Sequence, residues 1–578
     1  MTDDNTGDHT GTQTPETTTT TLGATSPDRD LPEPEAPDWD VIVIGAGVAG
    51  IYQIKRLTDL GVKATVLEGH ADLGGTWYKN RYPGARFDSE SFTYGYSFSQ
   101  EVLDEWHWTE RFSPQPETLK YLNFVADKFD LRRHMQFNCS VAAMRFDESN
   151  DFWELTLVDG RTMTARFVVT AIGLLSIPTM PRIEGVADFD GPSFHPFDWP
   201  AEPVDLAGKR VAVIGTGATA IQLIPEVAEQ AAHLTVFQRR PNWAAPLNNS
   251  PISEEEMADI RNRYDEIFDT CARTPGGFEH EPDRRGWDNV PQEERLALWD
   301  RLYHNGPGFG IWLQNFVEIF MDEDKNREFS DYIADRIRER VDDPELAEKL
   351  IPTDHGFGIQ RVPLETNYFE TYNRDNVTLV DASETPIERI TATGVKTTEQ
   401  LHEVDLIVYA TGFDAFTGAF DHIDITGVGG EKLRDKWRDG PVTYLGMFIS
   451  GFPNMLMLAG PQIAATNFPR AVETSVDWTI PLLQHAWDGG YTRFDATASA
   501  EQGWFEHVVD MYRPFLLRTA KSWITGYNSN LDGHEYGKTR YNLYNGGGPK
   551  YAAKIREVAE DGYTGIAFSG ADGPTKDR

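Results

Sequence analysis

The chain has 578 residues, with 53 Lys plus Arg against 91 Asp plus Glu and a formal net charge of -38 at pH 7. That length exceeds one ordinary domain and can fill more than one apolar core, while the charge repels nucleic acid and anionic membrane surfaces alike. The expectation is an acidic enzyme with neither nucleic acid nor membrane as a partner; a salt-rich setting and plain solubility both yield such acidity.

Two cysteines, Cys139 and Cys271, stand far apart in neither a C-x-x-C nor a zinc spacing. This argues against a disulfide framework, a metal site and a dithiol flavin reductase. No basic segment followed by an apolar stretch opens the sequence, and no apolar run reaches bilayer-spanning length, so a cytoplasmic location is expected.

Residues 1–37 are Thr, Asp, Gly, Pro and Glu with almost no large apolar side chain, a composition that cannot offset its own ordering entropy and predicts a flexible acidic tail. Val41-Ile42-Val43-Ile44 then reads as a buried parallel strand. Gly45-Ala46-Gly47-Val48-Ala49-Gly50 follows as G-x-G-x-x-G, with a helix after it and a second strand ending in Glu68. Gly45 permits the tight turn, Gly47 lets backbone approach a pyrophosphate, and Gly50 lets helix and strand pack closely. Glu68 suits two ribose hydroxyls and disfavours a 2′-phosphate, so this loop is expected to hold FAD or NAD. A lone glycine motif also arises in ordinary turns; strand, helix and spaced acid together select dinucleotide binding.

A second βαβ unit opens at Lys209–Ile214 and turns through Gly215-Thr216-Gly217-Ala218-Thr219-Ala220, a G-x-G-x-x-A loop. Its next strand ends in Arg239-Arg240 where an acid would otherwise stand. Guanidinium groups there can bind a 2′-phosphate bidentately, which points to NADPH. From about Glu254 to Pro352 the sequence is helical, charged and aromatic, and reads as an insertion. Asp405–Gly412 reads as a buried strand and small-residue turn returning the chain to the first domain.

Between the two loops lies Phe189-Asp190-Gly191-Pro192-Ser193-Phe194-His195-Pro196-Phe197-Asp198-Trp199-Pro200. This F-x-G-x-x-x-H-x-x-x-W-P pattern resembles the signature of the flavin-dependent Baeyer–Villiger monooxygenases. The likeness extends through Gly74-Gly75-Thr76-Trp77-Tyr78, Arg81–Asp88, Arg361 within Gly358–Glu365, Gly460-Pro461 and Ser522–Gly526. It implies an α/β fold of two Rossmann-like dinucleotide-binding domains, for FAD and NADPH, with a helical insertion in the second. The expected division is 38–180 for the first part of the FAD domain and 181–208 for a linker carrying the fingerprint. The NADPH domain then covers 209–395, with its insertion at about 254–352, and 396–578 completes the FAD domain with a C-terminal segment.

The resemblance also implies site residues. Thr76, Trp77, Tyr78, Asp88, Tyr94, Val141 and Phe468 would surround the flavin, Trp523 would contact the nicotinamide nucleotide, and Arg361 would be the catalytic cation oriented by Asp88. The implied reaction converts a ketone and O2 to an ester or lactone through a C4a-peroxyflavin. The alternatives are an N- or S-oxygenating flavin monooxygenase, or a flavin NADPH oxidase or redox sensor. His195 is assigned to the joint between domains rather than to proton transfer. Gln360 stands where the family often has Lys, and Arg240 where it often has Thr or Ser, which suggests phosphate-binding charge moved across the pocket. The compact loop Gly460–Phe468, with Ala464 and Ala465, favours cyclic or bulky ketones. A monomer or weak homo-oligomer is expected.

Overall fold

The computed structural model describes residues 36–570, so the expected flexible tail lies outside the described residues apart from its last two positions. Two sheets organise the chain, each seeded by one of the apolar runs that precede a glycine loop. In the first, Trp39–Ile44 lies between Ala64–Leu67 and Thr162–Thr170, parallel to both. Val41, Ile42 and Val43 are fully buried, as expected of a parallel strand covered on both faces. Beyond Thr162–Thr170 an antiparallel meander of Phe152–Leu157 and Val141–Asp147 extends the sheet. Asp424–Thr426 and Met455–Met457 close it from far along the chain, each in parallel.

The second sheet has the order Val377–Asp381, His233–Gln238, Arg210–Ile214, Leu406–Tyr409, Ser193–Phe194, parallel throughout. This corrects the sequence division at two points. Leu406–Tyr409 is a strand of the second sheet, so the chain re-enters the first sheet only at Asp424–Thr426. A buried parallel strand reads as the same short apolar run in either sheet, and nothing in Asp405–Gly412 distinguishes them. The fingerprint segment is likewise more than a linker, because Ser193–Phe194 forms the edge strand beside Leu406–Tyr409.

The inserted helices begin with local caps: Ser253 accepts from the Glu256 amide, and Asp322 from the amides of Asp324 and Lys325. Such side chains satisfy amides that have no intrahelical partner. The insertion serves both halves of the molecule. Met257, Ile260, Tyr264, Ile267 and Cys271 join the core around the first glycine-loop helix, Val48–Asp59. Trp299, Phe316, Phe329 and Ile333 join the core around the second, Ala218–Gln230. Among the described residues no helix is long and apolar enough to cross a membrane.

Candidate active site

Both glycine loops have the form of a dinucleotide cradle. Helices Val48–Asp59 and Ala218–Gln230 start at Gly47 and Gly217 with no capping side chain among the described residues. Their first-turn amides are therefore open to a pyrophosphate, which the helix dipole also favours. A Cβ on Gly50 would stand 1.8 Å from the Gly45 carbonyl oxygen, so only glycine permits that approach, whereas one on Gly217 would meet nothing within 4 Å. The space beside Gly217 is open. Glu68 is buried, and its two oxygens accept from the Ala46 amide at 2.7 Å and the His70 amide at 2.9 Å. An ionised carboxylate has about four acceptor positions, so each oxygen keeps one for a ribose hydroxyl.

In the second loop Thr216 is buried and donates through Oγ1 to the Arg240 carbonyl at 2.9 Å, which ties the loop to the strand end. Ala218, Thr219 and Ala220 form the first turn of its helix. Arg239 and Arg240 sit at that strand end, where Arg239 meets Ser529 at 2.7 Å and Arg240 meets Asp354 at 3.5 Å.

The segment after Gly74 packs on the first loop, the Gly74 amide donating to the Ala46 carbonyl at 2.9 Å. Thr76 and Tyr78 are on the short helix Thr76–Lys79, with Tyr78 stacked on His70. Trp77 donates through Nε1 to the Tyr94 hydroxyl at 2.8 Å, and Tyr94 stacks on Phe87 with ring centres 4.4 Å apart. This is one aromatic cluster. Farther along, Gly84 touches the second unit so closely that a Cβ there would fall 2.4 Å from the Gln222 carbonyl.

Asp88 and Arg361, 273 residues apart, meet with Nη2 2.5 Å from Oδ2. Asp88 is 4% exposed at its side chain and Arg361 33%. Burial pushes the Asp88 carboxyl above the ordinary range, against the pull of Arg361 and of the Leu364 amide. The other terminal nitrogen of Arg361, Nη1, is buried with no hydrogen-bond partner among the described residues. A buried, unpaired guanidinium N–H is costly, and it can donate to an anionic or carbonyl oxygen.

His195 is neutral, since burial lowers its pKa to about 4. Both its nitrogens are used: Nδ1 accepts from the Phe197 amide at 3.1 Å and Nε2 donates to the Gly412 carbonyl at 3.0 Å. The contact joins the fingerprint to the turn after Leu406–Tyr409.

Other expected residues are more dispersed. Val141 is buried beside Ser140, whose hydroxyl packs against Gly69 just past Glu68. Phe468 opens the helix Phe468–Asp488, and the preceding Asn467 donates to the Thr93 carbonyl at 3.2 Å, next to Tyr94. Trp523 stacks on Phe416 with ring centres 5.6 Å apart. Ala464 is buried and Ala465 is exposed.

Sequence reasoning missed three contacts. Gln222 accepts from the Tyr82 hydroxyl at 2.9 Å and donates to the Arg86 carbonyl at 3.0 Å, within 3.5 Å of Asp88 Oδ1. A lone Gln on an apolar helix face just after a glycine loop was the available signal. His280 of the insertion meets Glu90 at 3.0 Å with both side chains almost wholly buried. Ser529 meets Arg239. Neither of the last two leaves a local sequence signature.

The flavin-binding monooxygenase-like family model matches residues 39–250. The chain is 44% identical over 93% of its length, and 99% of the relative's, to 2-oxo-Δ3-4,5,5-trimethylcyclopentenylacetyl-CoA monooxygenase of Pseudomonas putida. It is 40% identical over 91% of its length, and 96% of the relative's, to phenazine N-monooxygenase PhzNO1 of Lysobacter antibioticus. The crystal structure of the OTEMO complex with FAD and NADP (form 4) superposes with a TM-score of 0.89 at 43% identity, covering 93% of this chain and 100% of that one. With its fingerprint, its two cradles and likeness along nearly its whole length, the chain belongs to the Baeyer–Villiger monooxygenase family of flavin-binding monooxygenases.

Proposed function

We propose that this chain is an FAD- and NADPH-dependent monooxygenase that inserts one oxygen atom of O2 beside the carbonyl of a cyclic or otherwise bulky ketone, giving an ester or lactone. The observation that carries the reading is the pairing of Arg361 with the buried Asp88 carboxylate, with one guanidinium nitrogen, Nη1, buried and left unpaired. When bound, the flavin supplies activated oxygen and NADPH supplies the reducing hydride. Everything else falls to the protein. Gly45, Gly47 and Gly50 admit the first dinucleotide and Glu68 binds its ribose; Gly215–Ala220 and the arginines after the next strand take the second. Thr76, Trp77, Tyr78, Tyr94, Val141 and Phe468 line the flavin side, and Trp523 contacts the nicotinamide nucleotide.

Asp88 holds one edge of Arg361, and its own second oxygen is within reach of Gln222 on the other unit's helix. So oriented, Arg361 keeps Nη1 for the negative charge that develops on oxygen as the new carbon–oxygen bond forms. A preorganised cation costs no reorganisation at that moment, which is the usual source of such stabilisation. His195 couples the fingerprint to the Gly412 turn by hydrogen bonds and moves no proton. On this reading, with the chain returning at Asp424, the first sheet carries the FAD site and the second the NADPH site. We place the enzyme in the cytoplasm as a monomer or weak homo-oligomer.

A second reading, oxygenation of a ring nitrogen, is favoured by the name of the Lysobacter relative. Incubation with NADPH, O2 and a panel of cyclic ketones, small linear ketones and phenazine, followed by mass analysis, tests both. Lactones from the cyclic ketones are expected. N-oxide as the sole product, or activity confined to small linear ketones, contradicts the proposal.

A further inference from the structure

The two arginines at the end of His233–Gln238 are not equivalent. Arg240 lies 5.3 Å from the Tyr527 ring centre and 3.5 Å from Asp354. The Asp354 carboxyl is held down to about 2 by its hydrogen bond from His355, with Arg240 and Lys521 adding to the effect. The charge of Arg240 therefore already has an ionised partner. Arg239 has no carboxylate within ion-pair distance among the described residues; its partner is a neutral hydroxyl, Ser529 Oγ, 2.7 Å from Nη1 and 290 residues away in sequence. Arg239 is exposed, and partial desolvation with the neighbouring Arg240 beside it works against its charge, so an anion placed there is favourable.

Ser529 is exposed, and the residues on either side of it are tied down. On one side Asn528 donates to the Phe413 carbonyl at 3.1 Å and accepts from the Asn530 amide at 3.0 Å. On the other, Arg182 donates to the Asn530 carbonyl at 2.9 Å and pairs with Asp532 at 2.9 Å. A carboxylate at position 529 would neutralise Arg239 and repel phosphate. A hydroxyl accepts from Arg239 and still has a proton to donate.

Resting on the reading of the second glycine loop as the NADPH site, we propose that Ser529 is a specificity-determining residue: its hydroxyl and the Arg239 guanidinium together bind the 2′-phosphate. The segment Tyr527–Asn530 thereby discriminates NADPH from NADH from the opposite end of the chain, while Arg240 serves mainly to hold Tyr527 and Asp354 in place.

Calorimetric titration of the FAD-loaded protein with NADP+ and with NAD+ tests this without turnover. Ser529→Ala is expected to weaken NADP+ by about tenfold to a hundredfold, the range of one hydrogen bond to a charged phosphate, and to leave NAD+ unchanged. Ser529→Asp is expected to weaken NADP+ more and again spare NAD+. In an Arg239→Ala background, Ser529→Ala should cost NADP+ nothing further. Equal losses for both dinucleotides, or none for NADP+, overturn the role of Ser529 if Arg239→Ala still separates the two. If Arg239→Ala fails to separate them, the reading of the site falls and this proposal with it.

Discussion

At the residue scale, the account rests on a guanidinium that is half committed. Asp88 holds Nη2 and leaves Nη1 buried and unpaired, an arrangement that structure alone would not favour. Arg361→Ala is expected to keep its yellow flavin and to oxidise NADPH, but to release hydrogen peroxide and form no ester. Ester production near the wild-type rate would show that another group carries the charge. Arg239→Ala is expected to raise the KM for NADPH by about tenfold to a hundredfold, equivalent to one charge-assisted contact of roughly 1.5–3 kcal/mol, and to change that for NADH much less. Steady-state kinetics with both nucleotides decide it; matching increases would remove Arg239 from the phosphate site. Asp88 and Arg361 could be named from sequence because each stands in a short motif resembling those of known enzymes. Ser529 and His280 could not, since their partners are fixed only by where distant segments meet.

At the element scale, the glycine loops were legible because a strand, a sharp turn and a helix must follow one another for a dinucleotide to be cradled. The reason is steric as well: Gly50 lies against the Gly45 carbonyl. Gly50→Ala should force helix Val48–Asp59 away from its strand, costing roughly 1–3 kcal/mol of stability and yielding protein depleted in FAD. Absorbance at the flavin band relative to protein reads this directly, and full flavin occupancy would contradict the packing argument.

A second element-scale prediction concerns the inserted helices, which His280 joins to the segment carrying Asp88. Burial lowers the His280 pKa but Glu90, with Glu279, raises it further, net upward, against a smaller opposing effect of Arg111. Burial likewise raises Glu90, while His280 and Arg111 bring it below its ordinary value. The His280 contribution to stability is thus complete below the ordinary histidine value of 6.5 and is lost as pH rises through the raised folded value; that of Glu90 is lost only as pH falls through its lowered one. Thermal unfolding of wild type and His280→Gln should therefore differ most in mildly acidic solution and converge as the solution becomes alkaline. A gap that widens with rising pH would show the histidine to be neutral in the fold.

At the scale of the whole molecule, the two-cradle architecture was readable from two glycine loops and the pattern between them, whereas sheet membership was not. Leu406–Tyr409 reads as a strand of the first domain but pairs in the second sheet, because four buried apolar residues do not encode which neighbours they pair with. The inserted helices proved to share both cores rather than one, since an amphipathic helix specifies that a face is buried, not against what. What the architecture achieves is a meeting of distant parts: Asp88 from the first unit, Gln222 from the second glycine-loop helix and Arg361 after the insertion.

The claim that these parts perform ketone oxygenation, rather than an idle oxidation of NADPH, is tested most directly by stoichiometry under 18O2. With a cyclic ketone, the account predicts one lactone carrying one 18O atom for each NADPH consumed, and little hydrogen peroxide. Consumption of NADPH matched by hydrogen peroxide, with unlabelled ketone recovered intact, would contradict it.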